Sequence, residues 1–312
     1  MSADPIVIEN LRKQYKDFVA VNDLSFKVKK NSFTGFLGPN GAGKSTTLKI
    51  LTHLIHATSG NAYLNGIDIT VDSKEALKGV GTVVETPEFY SYLTPIQTFN
   101  YMGSLFGMTR ESISNQTAEI LEDMKMSEWA DKKIGTFSKG MKQRISIGLS
   151  MLNDPSIIIL DEPTSGLDPR GMAETREILK NLRSKHNDLT ILMSSHMLHE
   201  VSDMCDRIAM INHGTLLLEG AIEDVLGANS VRNISVKVVG GATKADADII
   251  SKLNSVSNVN YGGNTVRFTF KGGDEQQMEL LREITSAGIK VYSINEDEAL
   301  ESVYLNMIKE TR

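Results

Sequence analysis

Eight residues at 38–45, GPNGAGKS, restrict the fold of this 312-residue chain more than any other stretch. They follow a short apolar run, SFTGFL, and lead into TTLKILTHLI, where apolar residues recur at helical spacing. A strand that ends in such a loop and re-enters as a helix belongs to a parallel α/β sheet. In that context the glycines let backbone N–H groups turn inward on phosphate oxygens, and the helix start adds positive dipole. Gly38, Pro39, Asn40, Gly41, Ala42, Gly43, Lys44, Ser45 and Thr46 are therefore expected to form a nucleoside triphosphate site. Lys44 would reach the β- and γ-phosphates, and the Ser45 hydroxyl suits Mg²⁺. A plain glycine-rich turn with a surface lysine would not require the full pattern.

Further along, Ile157–Leu160 runs straight into Asp161 and Glu162. Four apolar residues ending in two carboxylates place both at the carboxyl edge of a buried strand, where such sheets bind ligands. Asp161 would hold Mg²⁺ and Glu162 would act as general base on the attacking water. An acidic pair capping a strand is by itself equally a solvated turn; the phosphate loop in the same chain decides for the site. No N-K-x-D guanine-reading sequence occurs, which disfavours GTP.

The remaining pattern extends the alternation. Residues 6–9 and 24–28 read as short strands flanking a polar turn that holds Tyr15, and 61–71 alternates around an Asn-Gly turn at 65–66. From 95 to 152 the spacing is mostly helical, and LTILMSS and RIAMI supply two more apolar strands. At 227–231, GANSV breaks the pattern. Beyond it come strand, helix, a hairpin with Gly262-Gly263-Asn264 at its tip, helix, strand and a last helix, a small α+β domain with a ferredoxin-like order of elements. The expected division is 1–228 and 229–312.

Net charge is −6, which counts against the basic excess that drives nucleic-acid binding. Cys205 is the only cysteine, so no intramolecular disulfide forms, and a reducing compartment is expected. The opening residues lack a signal-peptide core, and no run approaches the ~18 apolar residues of a membrane span. Any spanning is expected of another chain.

GPNGAGKST, FSKGMKQR, IIILDEPTSGLDP and SSH stand in the order and spacing of an ABC-type ATPase, which residues 5–225 resemble. The resemblance implies a P-loop NTPase (ABC-type) α/β core with an N-terminal antiparallel β subdomain and a helical subdomain, plus the C-terminal α+β domain. It implies ATP and Mg²⁺ as ligands. FSKGMKQR falls where the family carries its signature sequence, usually L-S-G-G-Q. By that likeness Ser138, Lys139, Gly140 and Met141 meet the γ-phosphate of ATP held by a second, head-to-tail copy, although Phe137, Lys139, Met141 and Lys142 depart from the usual form. Tyr15 matches the aromatic that stacks on adenine, with Phe18 the alternative. Asp168 matches the loop that crosses the dimer interface and is also a candidate N-cap ahead of Pro169. His196 matches the switch histidine at the γ-phosphate and attacking water.

Where the family has a metal-ligating glutamine, this chain has Glu85, in GVGTVVETPEFYSYL; Gln97 lies too far along, within a helix start. Glutamate keeps an oxygen for Mg²⁺ but loses the amide donor and adds negative charge. ETPEFY and the single cassette with a C-terminal extension resemble bacitracin- and lantibiotic-immunity exporters and related drug-export ATPases. The expected function is thus the ATP-hydrolysing subunit of an exporter: a homodimer at the inner face of the cell membrane, driving separate membrane-spanning subunits, with no nucleic-acid partner. Phe89, Tyr90 and Tyr92 are candidates to dock such a subunit, or a hydrophobic anchor of their loop. The alternative is a soluble ABC ATPase acting on ribosomes or DNA; those types carry two cassettes or a long heptad insertion, and this chain has neither. His196 and His199 form an H-x-x-H followed by Glu200, but a zinc site would need a third ligand and an open position and none is evident; His53 and His56, at the same spacing, read as packing or surface residues.

Overall fold

The computed structural model describes residues 4–228, 231–296 and 304. It divides into two compact units, Met1–Gly220 and Ala221–Arg312.

The first unit opens with β1 (Ile6–Tyr15) and β2 (Phe18–Val28), paired antiparallel. Both strands are longer than the sequence pattern predicts, and the reason is local. Asn10 and Asp23 adopt left-handed φ of 48° and 53°, and the register shifts between Ile8 and Leu11. Bulges of this kind break the period-2 alternation while the ladder continues. The Asn10 amide Nδ2 donates to Asp23 Oδ1 at 2.9 Å, joining the two strands at this point. With β4 (Ser59–Leu64) and β5 (Ile67–Asp68) they form a four-stranded sheet of order β2-β1-β4-β5.

Between and after these strands come β3 (Phe33–Leu37), α1 (Lys44–Leu51), α2 (Ser73–Ala76) and β6 (Val80–Val83). The helical region comprises α3 (Pro95–Leu105), α4 (Arg110–Asp123) and α5 (Lys139–Met151). Gln97 closes a capping box with Thr94 at the start of α3, which accounts for that glutamine structurally. Then follow β7 (Ile157–Asp161), α6 (Pro169–Lys185), β8 (Thr190–Ser195), α7 (Leu198–Met204), β9 (Arg207–Asn212) and β10 (Thr215–Ala221). The central sheet has the order β10-β9-β3-β8-β7-β6, with β9, β3, β8, β7 and β6 mutually parallel.

Successive residues of β7 serve two different cores, because side chains alternate across a strand. Ile157 and Ile159 pack with the antiparallel sheet and α1, whereas Ile158 and Leu160 pack with Phe99, Ile145 and Ile178 of the helical side. That double burial explains the unbroken apolar runs, and it leaves the carboxyl ends of β3, β7 and β8 as the places where polar residues emerge. Among the described residues no helix is long and apolar enough to cross a membrane.

The second unit contains α8 (Ile222–Ala228), β11 (Val231–Val238), α9 (Lys244–Ile250), β12 (Val256–Gly262), β13 (Thr265–Lys271), α10 (Asp274–Ser286) and β14 (Val291–Glu296). Its antiparallel sheet has the order β12-β13-β11-β14 around a core of Ile234, Val236, Phe268 and Ile284. The hairpin tip lies at Gly263, with φ 60°, and Asn264, as its turn residues predict. The final helix expected after Ile294 lies outside the described residues except for Tyr304.

Candidate functional site

The phosphate loop links the wholly buried β3 to α1. Gly43 has φ 101°, and a Cβ there would lie 2.4 Å from the Ala20 carbonyl oxygen, so only glycine fits. Gly41 has φ 81° with nothing within 4 Å of where a Cβ would be, which leaves an open face on the cradle. Lys44 is only 5% exposed. Its Nζ donates to the carbonyls of Gly38 at 2.8 Å and Pro39 at 3.2 Å, and pairs with Glu162 Oε1 at 3.3 Å.

Glu162 stands one residue past β7 with a left-handed φ of 43°. Its amide donates to Ser194 Oγ at 2.9 Å, and the same hydroxyl donates to Asp161 Oδ1 at 2.6 Å. Ser45 Oγ donates to the same carboxylate oxygen, reaching Asp161 Oδ1 at 3.2 Å. Glu162 Oε2 lies 3.2 Å from His196 Nδ1, so one carboxylate bridges the loop lysine and the histidine after β8. Residues 116 positions apart in sequence, Ser45 and Asp161, thus share a hydrogen bond because β3 and β7 both flank β8.

A hydroxyl and a carboxylate oxygen in contact are the hard donors that Mg²⁺ takes alongside phosphate. Ser45, Asp161, Glu162 and Glu85 line one cavity of about 200 Å³ with Lys139, Gln143 and Ser165, so these residues fit the ion. Glu85, at a left-handed φ of 71° beyond β6, forms an ion pair with Lys49 of α1. The hydrogen bond that Lys49 donates to Glu85 raises the Lys49 pKa against the opposing effect of desolvation, and the ammonium stays charged through the neutral range.

Ser138 N-caps α5, its Oγ accepting from the Met141 amide at 3.2 Å. Ser138, Gly140 and Met141 face a second open cavity of about 560 Å³, shared with Asp168 and Trp129. Asp168 N-caps α6 by accepting from the Gly171 amide at 3.2 Å, with Pro169 at the first helical position. Lys139, expected beside Ser138, turns its side chain instead into the cavity with Asp161 and Glu162.

Tyr15 and Phe18 are cross-strand partners, 44% and 61% exposed, so neither ring is committed to the core. Lys13 Nζ sits 4.9 Å from the centre of the Tyr15 ring and occupies one of its faces. The aromatic group after Glu85 splits: Phe89 packs on the helical core, while Tyr90 and Tyr92 are exposed with ring centres 5.8 Å apart. His53 and His56 stack edge to face at 4.9 Å.

Ser194 escaped the reading of the sequence, and Glu200 entered it only through its place after the zinc-like spacing of His196 and His199. Ser194 is a fully buried hydroxyl in an apolar strand, and that mismatch is its only signal. Glu200 is 1% exposed and accepts from Ser195 Oγ at 2.9 Å, immediately before His196.

A phosphate loop, a carboxylate pair at the carboxyl edge of a parallel sheet and a separate helix start define an ATPase of the nucleotide-binding cassette class. The ABC transporter family model matches residues 21–165. The chain is 32% identical over 306 residues to the linearmycin resistance ATP-binding protein LnrL of Bacillus subtilis (strain 168), covering 97% of this chain and 98% of that one. It is 39% identical over 210 residues to the bacitracin transport ATP-binding protein BcrA of Bacillus licheniformis, covering 67% of each. A solved ABC transporter cassette in its ADP conformation, MJ1267, superposes with a TM-score of 0.62 at 27% identity, over 71% of this chain and 92% of that one. This chain belongs to the ABC transporter family as an ATP-binding, ATP-hydrolysing subunit.

Proposed function

We propose that the protein powers an exporter of the antibiotic-resistance or immunity kind, as a homodimer that sandwiches two ATP molecules and drives separate membrane-spanning subunits. The similarity to LnrL along nearly the whole chain, second unit included, supports that choice. Attachment to those subunits would hold it at the inner face of the cell membrane, with the exposed Tyr90 and Tyr92 available for docking. The C-terminal unit then serves dimer contact or regulation.

The observation that carries the mechanism is the placing of Glu162 between Lys44 and His196. Glu162 takes a proton from the attacking water as its oxygen bonds to the γ-phosphorus and the bond to the bridging oxygen of ADP breaks. His196 orients that carboxylate through Nδ1, and Lys44 moves from its carbonyl partners onto the phosphates. Ser45, Asp161 and Glu85 would hold Mg²⁺, which neutralises charge on the β- and γ-oxygens. Tyr15 stacks on adenine with the face that Lys13 leaves open. Ser138, Gly140 and the free N–H groups of the α5 start receive the γ-phosphate of the twin's ATP, and Asp168 lies at that interface.

Glu162→Gln keeps the shape and removes the base. ATP binding should persist while turnover falls roughly 10²–10⁴-fold; unchanged turnover would exclude Glu162 as the base. Co-purification with a multi-spanning protein from detergent-solubilised membranes tests the transporter assignment, and salt-sensitive association with ribosomes instead would overturn it.

A further inference from the structure

The start of α5 faces two ways. Ser138, Gly140 and Met141 look into the cavity with Asp168, while the Lys139 side chain reaches the cavity of Ser45, Asp161 and Glu162. There Lys139 Nζ donates to the Ser165 carbonyl at 3.1 Å. The next residue, Gly166, has φ 67°, and a Cβ on it would lie 2.3 Å from that ammonium, so the glycine is what leaves room for the lysine. Ser165 is itself clipped to the site, its amide donating to the Glu162 carbonyl at 3.0 Å. Leu167 donates to the Thr164 carbonyl at 3.3 Å, and Asp168 follows as the cap of α6.

The segment 162–168 therefore carries the general base at one end and the interface carboxylate at the other, and Lys139 grips its middle. We propose that Lys139 is a positioning residue that ties the start of α5 to this segment, so that seating the twin's phosphate on α5 sets Glu162 of the same chain. The inference rests on the dimer reading given above. It assigns Lys139 a role through the Ser165 carbonyl in its own subunit rather than on the twin's nucleotide. A charge-assisted bond to a carbonyl is strong enough for this and depends on a donor at that reach.

The test compares Lys139→Met and Lys139→Arg in the full chain. Without nucleotide, Met should speed hydrogen exchange at the Ser165 and Leu167 amides several-fold; with ATP it should lower kcat about tenfold and leave KM within about twofold. Arg should restore both. Gly166→Ala both displaces the lysine tip and strains the left-handed backbone, so it should speed exchange at these amides at least as much as Lys139→Met. Unchanged exchange in Lys139→Met, or a loss confined to KM as expected of a phosphate ligand in trans, would overturn the proposal. Absent ATP turnover in the unmodified chain would overturn the dimer-coupled reading itself, whereas unchanged exchange beside normal turnover overturns the tether alone.

Discussion

Lys49 and Glu85 form an ion pair that joins α1 to the segment after β6. Lys49 lies four residues beyond Ser45 on the same helix face, so the pair borders the cavity that Ser45 and Asp161 line. A carboxylate at this position would otherwise add uncompensated negative charge beside bound phosphates. Lys49→Met should weaken Mg·ATP binding roughly tenfold, about 1.4 kcal/mol, and Glu85→Gln in the same chain should restore it. Calorimetric titration reads both. The melting temperature should barely move, because Glu85 is 61% exposed and exposed pairs contribute only about 0–1 kcal/mol.

Glu200 anchors the turn that carries His196. One carboxylate oxygen accepts from Ser195 Oγ, which in turn accepts from the Met197 amide at 3.0 Å; the other oxygen is buried and has no partner among the described residues. The Ser195 carbonyl accepts from the Gly38 amide at 3.3 Å, so the same turn touches the phosphate loop. Glu200→Ala should cost about 1–3 kcal/mol in urea denaturation and lower turnover. Glu200→Gln keeps an acceptor for Ser195 without a buried charge and should stay within about 1 kcal/mol of the parent.

Gly43 and Gly41 should respond differently to alanine. At Gly43 the methyl would meet the fixed Ala20 carbonyl of β2, so Gly43→Ala should lose nucleotide binding and several degrees of thermal stability. At Gly41 there is open space, and the fold bears only the left-handed penalty of about 1–2 kcal/mol. Thermal melts alongside nucleotide titration separate the two.

Lys185 of α6 bridges Glu119 at 2.7 Å and Asp123 at 3.0 Å, both on α4. Its hydrogen bond lowers the Glu119 pKa, and those same contacts, Glu119 foremost, raise that of Lys185. A lowered carboxylate pKa gives stability that is present above the ordinary carboxylate range and lost as pH falls through the folded value. A raised lysine pKa gives stability lost only as pH climbs above the ordinary lysine range. Lys185→Met should thus reduce stability at neutral pH by under about 1 kcal/mol and flatten its acid dependence. Urea midpoints across pH check this.

Much of the site is legible in the sequence because its conformation is local. The turn between β3 and α1 needs left-handed glycines at fixed offsets, and the wholly apolar β7 leaves Asp161 and Glu162 no place but the sheet edge. Where local pattern is interrupted, reading stops short: the bulges at Asn10 and Asp23 hide most of β1 and β2. The half-buried β10 also has no clear alternation to announce it.

The sequence alone determined the phosphate loop, the strand–helix alternation, the acidic pair and the separate C-terminal order of elements, since each is encoded within a few neighbouring residues. Tertiary structure alone decided which groups meet. Ser45 with Asp161, Lys49 with Glu85, Glu162 with His196 and Lys139 with Ser165 are contacts across separate elements. Such contacts follow from strand order and from which cavity a helix start faces. No periodicity records either, because both are set by the packing of two cores on opposite faces of one sheet.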